Sequence, residues 1–220
     1  MPKFTSVYLG LYTIISTGLW AIILINAISD YWTGLNPNAS VEERLSNIYL
    51  SHRYTGEYPH RFLVLTQLFN SVVEILNASV GLVNSSFATL ILQASARSVI
   101  TLGICYKVPQ SPANYNLLVF NSIKLAWSLS EIIRNGFYLF KLSTNRIPQP
   151  VIWLRYSAFI VLYPLGLVCE SLSMYSTLDS VKGSRYYYFV ILSLTQYIPG
   201  FLILFSHMLK QRKKALRRTV

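Results

Sequence analysis

The chain has 220 residues, of which 53% are hydrophobic and only 12% are charged, and its mean hydropathy is +0.42. A soluble domain is typically about one quarter charged, so this composition excludes an ordinary soluble globular domain and indicates a polytopic membrane protein. The net charge is +11, but much of it lies in one terminal run: Lys210, Arg212, Lys213, Lys214, Arg217 and Arg218. Directly after an apolar segment, such a run is typical of a cytosolic topogenic tail, and we expect no nucleic-acid partner.

The sequence lacks the motifs of several large enzyme classes. It has neither a Walker motif nor a dinucleotide-binding glycine motif. Neither Cys105 nor Cys169 is followed at the sixth position by Arg, so the cysteine-phosphatase loop is absent. The two cysteines lie in different apolar segments, without a second Cys or His at ligand spacing, which favours a packing role for both. We therefore expect no metal and no cofactor.

Six apolar segments approach the length needed to cross a hydrocarbon core of about 30 Å. They cover residues 8–29, 62–84, 87–107, 115–141, 151–177 and 186–209. The first is too long for the core of a signal peptide and has no small-residue cleavage site behind it, so it is predicted to be retained. The pattern predicts an all-α bundle of six transmembrane helices that forms a single integral-membrane domain.

The distribution of basic residues predicts the orientation of this bundle. Six spans place both termini on one side, and the basic tail, residues 210–220, makes that side cytosolic. The cytosolic segments then hold nine Lys and Arg residues and the opposite side holds six. The long connection 30–61 becomes luminal, and Asn38 lies in a glycosylation sequon within it.

Polar side chains recur at helical spacing within four of the spans. These stripes consist of Gln67, Asn70, Glu74, Asn77 and Gly81; Gln93 and Arg97; Trp127, Glu131, Arg134, Tyr138 and Lys141; and Tyr156, Tyr163 and Glu170. Ionisable groups inside a membrane are costly and normally face the interior of the bundle. We therefore expect the four stripes to meet each other there.

A structural role explains part of this polarity at least as well as function does. Glu74, Glu131 and Arg134 are candidates for interhelical ion pairs, and the last two can also pair locally because they are three residues apart. Lys124 is expected to extend its amine to the membrane surface.

Tyr163 and Glu170 fit a purely structural role less well. Pro164 and Gly166 lie between them, and proline bends a helix while glycine permits the close approach of a ligand or another backbone. A bent helix that carries a phenol and an acid is expected to open a pocket inside the bundle.

The polar segments also resemble a known family. They are LRYSAFIVLYPLGLVCE at 154–170, WSLSEIIR at 127–134, Gln93 with Arg97, YIPG at 197–200, HMLKQRKK at 207–214, and the first span. In order and spacing they resemble the very-long-chain (3R)-3-hydroxyacyl-CoA dehydratases of the endoplasmic reticulum, a family also called protein-tyrosine-phosphatase-like. The resemblance covers residues 8–29 and 62–214 and omits the long connection.

The resemblance implies a lyase that dehydrates a 3-hydroxyacyl-CoA to a trans-2-enoyl-CoA, the third step of each fatty-acid elongation cycle. It assigns catalysis to Tyr163 and Glu170. Elimination needs one group to remove a proton from C2 and another to help hydroxide leave C3. We expect Glu170 to be the base and Tyr163 the hydrogen-bond donor, although the reverse assignment is open. On a straight helix the two stand about 10 Å apart, so either the bend brings them together or one acts through water or another residue.

Further residues are expected to bind substrate or support the site: Arg97, Glu131, Arg134, Arg155, Tyr156 and Gly166. Near the cytosolic face, Arg155, Lys141, Arg146 and Arg134 are candidates for contact with the CoA phosphates. The family implies the lipid bilayer, the condensing enzyme and two reductases as partners. The rival hypothesis is a non-catalytic membrane protein, a small transporter or an assembly scaffold, in which the polar stripes only hold the helices together.

Overall fold

The computed structural model describes residues 3–35, 58–83, 87–144 and 147–217, and the regular elements within these ranges are all helical. The α-helices are α1 Lys3–Leu35, α2 Arg61–Ser79, α3 Phe87–Ser98, α4 Leu117–Ser143, α5 Gln149–Ser157, α6 Phe159–Thr177 and α7 Arg185–Arg217. A π-helix, Val99–Tyr106, continues α3, and short 3₁₀ turns occupy Pro112–Tyr115 and Asp179–Val181. The predicted all-α class is confirmed for this part of the chain.

Each predicted span coincides with helix, but several limits differ. The first helix extends further at both ends than predicted, and α7 continues to Arg217, so most of the predicted basic tail is helical. The second ends early, at Ser79, where Gly81 adopts a positive φ of 73° and turns the chain. Most of the long connection, including Asn38, lies outside the described residues.

Among the described residues, five helical segments are long and apolar enough to cross a membrane: Thr5–Trp32, Arg61–Ser79, Phe87–Tyr106, Gln149–Val181 and Arg185–Arg217. The chain is therefore a multi-pass membrane protein. The α4 helix is not among the five because charged residues, Lys124, Glu131, Arg134 and Lys141, interrupt it. It lies at the centre of the bundle, packed most extensively against α1 and α6, and its charged residues Lys124, Glu131 and Arg134 form ion pairs there instead of facing lipid.

Lys124 does not extend to the membrane surface, so that prediction was wrong. Its side chain is only 8% exposed, and its Nζ lies 3.1 Å from Oδ2 of Asp30 on α1. The amine stays in the bundle because a carboxylate from the neighbouring helix compensates its charge.

The predicted fifth span is divided into two helices. α5 ends at Ser157 and α6 begins at Phe159, while α6 itself runs without interruption through Pro164 and Gly166. The division therefore comes before the proline, at Ala158, and separates Tyr156 from the rest of its predicted stripe. Tyr163 and Glu170 remain on one continuous helix.

Candidate active site

A cavity of about 270 Å³ lies between α3, α4, α6 and α7. Much of its wall is apolar and aromatic: Leu92, Val99, Phe159, Leu162, Leu167, Phe201, Leu204 and Met208. Its polar lining consists of Gln93, Ser95, Arg97, Trp127, Ser130, Tyr163, Glu170, Ser193, Gln196 and Tyr197. Binding sites for small molecules commonly combine an apolar wall with a few polar groups that fix the orientation of the ligand.

Glu170 is a buried carboxylate in the wall of this cavity, with 9% of its surface exposed. Its Oε1 accepts a hydrogen bond of 2.7 Å from the indole Nε1 of Trp127 on α4. A Cβ atom placed on Gly166 would lie 3.4 Å from the same oxygen. The missing side chain at Gly166 thus leaves one flank of the carboxylate uncovered toward the cavity.

Tyr163 is held in the cavity wall by aromatic side chains of α7. Its ring stacks on that of Phe201 with centroids 5.1 Å apart, and on that of Phe205 with centroids 6.3 Å apart. Tyr163 and Glu170 line the same cavity and interact electrostatically. Because α6 is continuous between them, their separation along the helix axis remains about 10 Å.

Arg97 connects the cavity to a chain of charged groups in the bundle core. Its Nη1 lies 2.6 Å from Oε1 of Glu131 and donates to Oε1 of Gln67 at 3.2 Å. Arg134 in turn pairs with both Glu131 and Glu74. The local pairing of Glu131 with Arg134 is confirmed, and alternating charges connect α3 through α4 to α2.

Aromatic rings fix the position of Arg97 as well. Its guanidinium carbon lies 5.1 Å from the ring centre of Trp127 and 5.8 Å from that of Trp20. Trp127 thus contacts both Arg97 and Glu170. The arrangement keeps a cation within electrostatic range of the Glu170 carboxylate.

The polar stripe of α2 faces α1. Asn70 accepts hydrogen bonds from the hydroxyls of Tyr12 at 3.0 Å and Ser16 at 2.6 Å, and Asn77 accepts one from Tyr8 at 3.0 Å. Gln67, Asn70, Glu74 and Asn77 therefore face the bundle interior, as predicted, and make interhelical polar contacts, whereas Gly81 lies beyond α2 in an exposed turn.

Four predicted site residues do not line the cavity: Glu131, Arg134, Arg155 and Tyr156. The guanidinium carbon of Arg155 lies 5.8 Å from the Tyr156 ring, and that ring packs edge-on against Phe137. Arg134 lines a second cavity of about 310 Å³ together with Lys141. Because two carboxylates bind its guanidinium, Arg134 is engaged in the core and is not available to a phosphate. The remaining candidate for phosphate contact, Arg146, is not among the described residues.

Trp127 and Tyr197 line the cavity next to Glu170, and neither is among the predicted site residues. Trp127 does belong to the predicted stripe of α4, so its inward direction was available from spacing. Tyr197 donates a hydrogen bond of 2.9 Å to the backbone oxygen of Ala96 and also approaches the Glu170 carboxylate. Its sequence signal is the YIPG segment at 197–200, which belongs to the family resemblance.

Both cysteines have the packing role that their surroundings predicted. Cys105 and Cys169 are buried free thiols. Within the described ranges, no group of three or more His, Cys, Asp or Glu side chains is arranged to hold a metal ion.

Residues 68–218 match the family model described as "Protein tyrosine phosphatase-like protein, PTPLA". The chain belongs to this family. It is 30% identical to very-long-chain (3R)-3-hydroxyacyl-CoA dehydratase 2 of Homo sapiens, over 96% of this chain and 82% of that protein. It is 32% identical to the dehydratase PASTICCINO 2 of Arabidopsis thaliana, over 97% of this chain and 94% of that protein. It is 35% identical to the dehydratase PASTICCINO 2A of Oryza sativa subsp. japonica, over 66% of this chain and 72% of that protein. No solved structure matches the chain.

Proposed function

We propose that this chain dehydrates a very-long-chain (3R)-3-hydroxyacyl-CoA to the trans-2-enoyl-CoA, the lyase step of fatty-acid elongation. Its family relatives are named for this substrate. The cavity supports the proposal because its polar lining supplies the two kinds of group that elimination requires. The phenol and the acid that the resemblance singles out, Tyr163 and Glu170, both line it.

In this mechanism Glu170 removes a proton from C2, next to the thioester carbonyl that makes this proton acidic. The phenol of Tyr163 assists the departure of the C3 hydroxyl as water. Trp127 holds one oxygen of the carboxylate, which fixes its orientation without covering its cavity side. Glu170 is the better candidate for the base, because a carboxylic acid loses its proton far more readily than a phenol does.

The substrate's shape fits a membrane setting. The apolar wall of the cavity suits the part of an acyl chain next to the thioester. We place the end of the chain between the helices and in the surrounding bilayer. The CoA phosphates are assigned to the cytosolic face, where Arg155 and Lys141 remain the candidates.

The finer assignments extend this proposal. The chain crosses the membrane of the endoplasmic reticulum six times, and both termini lie in the cytosol. The α4 helix is the span that is added to the five apolar segments. Its polar contacts to α1 and α3 support α4 as a span, since they compensate charges that lipid would not. The condensing enzyme and the two reductases of the elongation cycle are the proposed partners.

Turnover by the purified protein in liposomes tests the proposal. We expect conversion of 3-hydroxyacyl-CoA to trans-2-enoyl-CoA, followed by absorbance of the conjugated thioester, across a series of acyl lengths. The length that gives the highest kcat/KM identifies the preferred substrate. If no length is converted while the protein is folded, the transporter or scaffold hypothesis replaces the enzyme.

A further inference from the structure

Two tyrosines of α7 attach this helix to the segment that carries Arg97. The hydroxyl of Tyr186 donates to the backbone oxygen of Gly103 at 3.0 Å, and that of Tyr197 donates to the backbone oxygen of Ala96 at 2.9 Å. The tyrosines are eleven residues apart, which is about three helical turns, so they share one face of α7. The two hydrogen bonds are of the same kind, but only Tyr197 lies beside Glu170.

The hydroxyl of Tyr197 has one hydrogen-bond acceptor, the Ala96 carbonyl, and shares a cavity wall with a further acceptor group, the carboxylate of Glu170. Tyr197 lines the cavity, donates to the Ala96 carbonyl and approaches the carboxylate of Glu170. It also lies within electrostatic range of Tyr163. Ala96 precedes the point where α3 passes into the π-helix Val99–Tyr106, a kind of irregularity that often accompanies functional sites.

A phenol has one proton to donate and an oxygen that can also accept. When Glu170 is ionised, Tyr197 can donate to the carboxylate. When Glu170 has taken up a proton, the acid can donate to the Tyr197 oxygen while the phenol proton points to Ala96. Tyr197 is therefore able to hold the side chain of Glu170 in both of the states through which a catalytic base passes.

We propose that Tyr197 is a positioning residue of the active site, which together with Trp127 holds Glu170 in the orientation that faces the cavity. This inference rests on the proposed function for its catalytic consequence.

The first test compares Tyr197→Phe with Tyr186→Phe in the turnover assay. Loss of the Tyr197 hydroxyl should lower kcat by about 10- to 100-fold, the usual effect of a small misplacement of a catalytic group, with KM changed less than twofold. Tyr186→Phe, which removes the same kind of hydrogen bond three turns away, should leave kcat within about twofold. An unchanged kcat in Tyr197→Phe, or an equal loss in both variants, would overturn the proposal.

The second test asks whether Tyr197 acts through Glu170. Adding Tyr197→Phe to Glu170→Gln should lower kcat by no more than about twofold, because groups that act as a unit are not additive. A further tenfold loss would mean that Tyr197 acts independently.

Thermal midpoints of the same variants in detergent give a readout that does not depend on activity. The shifts of Tyr197→Phe and Glu170→Gln should not add in the double variant, whereas those of Tyr186→Phe and Glu170→Gln should add. Additive shifts for the first pair would overturn the proposal.

If the wild type converts no substrate, the proposed function fails, and the midpoints still decide whether Tyr197 holds Glu170. If Tyr197→Phe does not fold, Tyr197→3-fluorotyrosine keeps the hydroxyl that holds Glu170, so kcat should stay within about threefold; a loss of tenfold or more would mean that Tyr197 transfers a proton instead and would overturn the positioning role.

Discussion

Gly166 shows how the absence of a side chain shapes the candidate site. Its hydrogen lies against the cavity flank of Glu170, where a Cβ would sit 3.4 Å from Oε1. That distance is an ordinary van der Waals contact, so a methyl group fits there, but it covers part of the carboxylate that a substrate would approach. Gly166 is therefore more important for access to Glu170 than for folding.

We expect Gly166→Ala to separate activity from stability. The variant should fold with equal or greater stability, by roughly 0.5–1 kcal/mol, because alanine is the better residue in a helix. Its kcat/KM should fall by about tenfold or more, since a displaced reacting group costs up to about 100-fold. Gly136→Ala on α4 is the matched control, because nothing lies within 4 Å of its Cβ position. Equal activity in both variants would remove Gly166 from the site.

Spacing along one helix predicted some of these residues and not others. Glu131 and Arg134 pair as expected because residues three apart share a face. The contact between Trp127 and Glu170 joins α4 to α6, and spacing within either helix carries no information about such a pair. Tyr197 was not assigned to the site for the same reason, since its hydrogen-bond acceptor belongs to α3 and the nearby carboxylate of Glu170 to α6.

Among the elements, α4 depends most on its neighbours, because it carries the charges that prevent it from being a simple apolar span. Lys124 is compensated by Asp30, and Glu131 by Arg97. The sequence predicted that α4 faces the bundle interior, but it did not reveal which helix supplies each partner. The division at Ala158 was also missed, because Pro164 was the more obvious breaker and α6 continues through it.

Removal of one member of the Asp30–Lys124 pair should weaken the attachment of α1 to α4. Asp30→Asn leaves the buried amine of Lys124 without its carboxylate, a change that typically costs roughly 3–5 kcal/mol. We expect a lower thermal midpoint in detergent. The double variant Asp30→Asn/Lys124→Met should recover most of the loss, because it removes the uncompensated charge. If the double variant is no better than Asp30→Asn alone, the ion pair is not what stabilises this contact.

For the molecule as a whole, hydropathy predicted where the helices lie, since an apolar run of membrane-spanning length has few other stable structures. It did not predict that the basic run continues α7 to Arg217 or that a π-helix follows α3. Such features depend on neighbouring helices and backbone pairing, which leave no periodic signal in the sequence.

The orientation of the bundle stays a prediction and can be tested by glycosylation in microsomes. A sequon placed in the middle of residues 36–57 should be modified, because this connection is predicted to be luminal. A sequon placed after Arg217 should stay unmodified and serves as the matched control. Modification at the C-terminal site instead would reverse the topology.

The most direct measurement is the turnover of Tyr163→Phe and Glu170→Gln beside the wild type, with each protein folded and reconstituted at the same density in liposomes. Both substitutions keep the shape of the side chain and remove the group that handles the proton. We predict that each lowers kcat/KM by roughly 100- to 10,000-fold, the range typical of a lost general acid or base. A folded variant of either kind that converts 3-hydroxyacyl-CoA at the wild-type rate would show that the chemistry does not take place at this phenol and this acid.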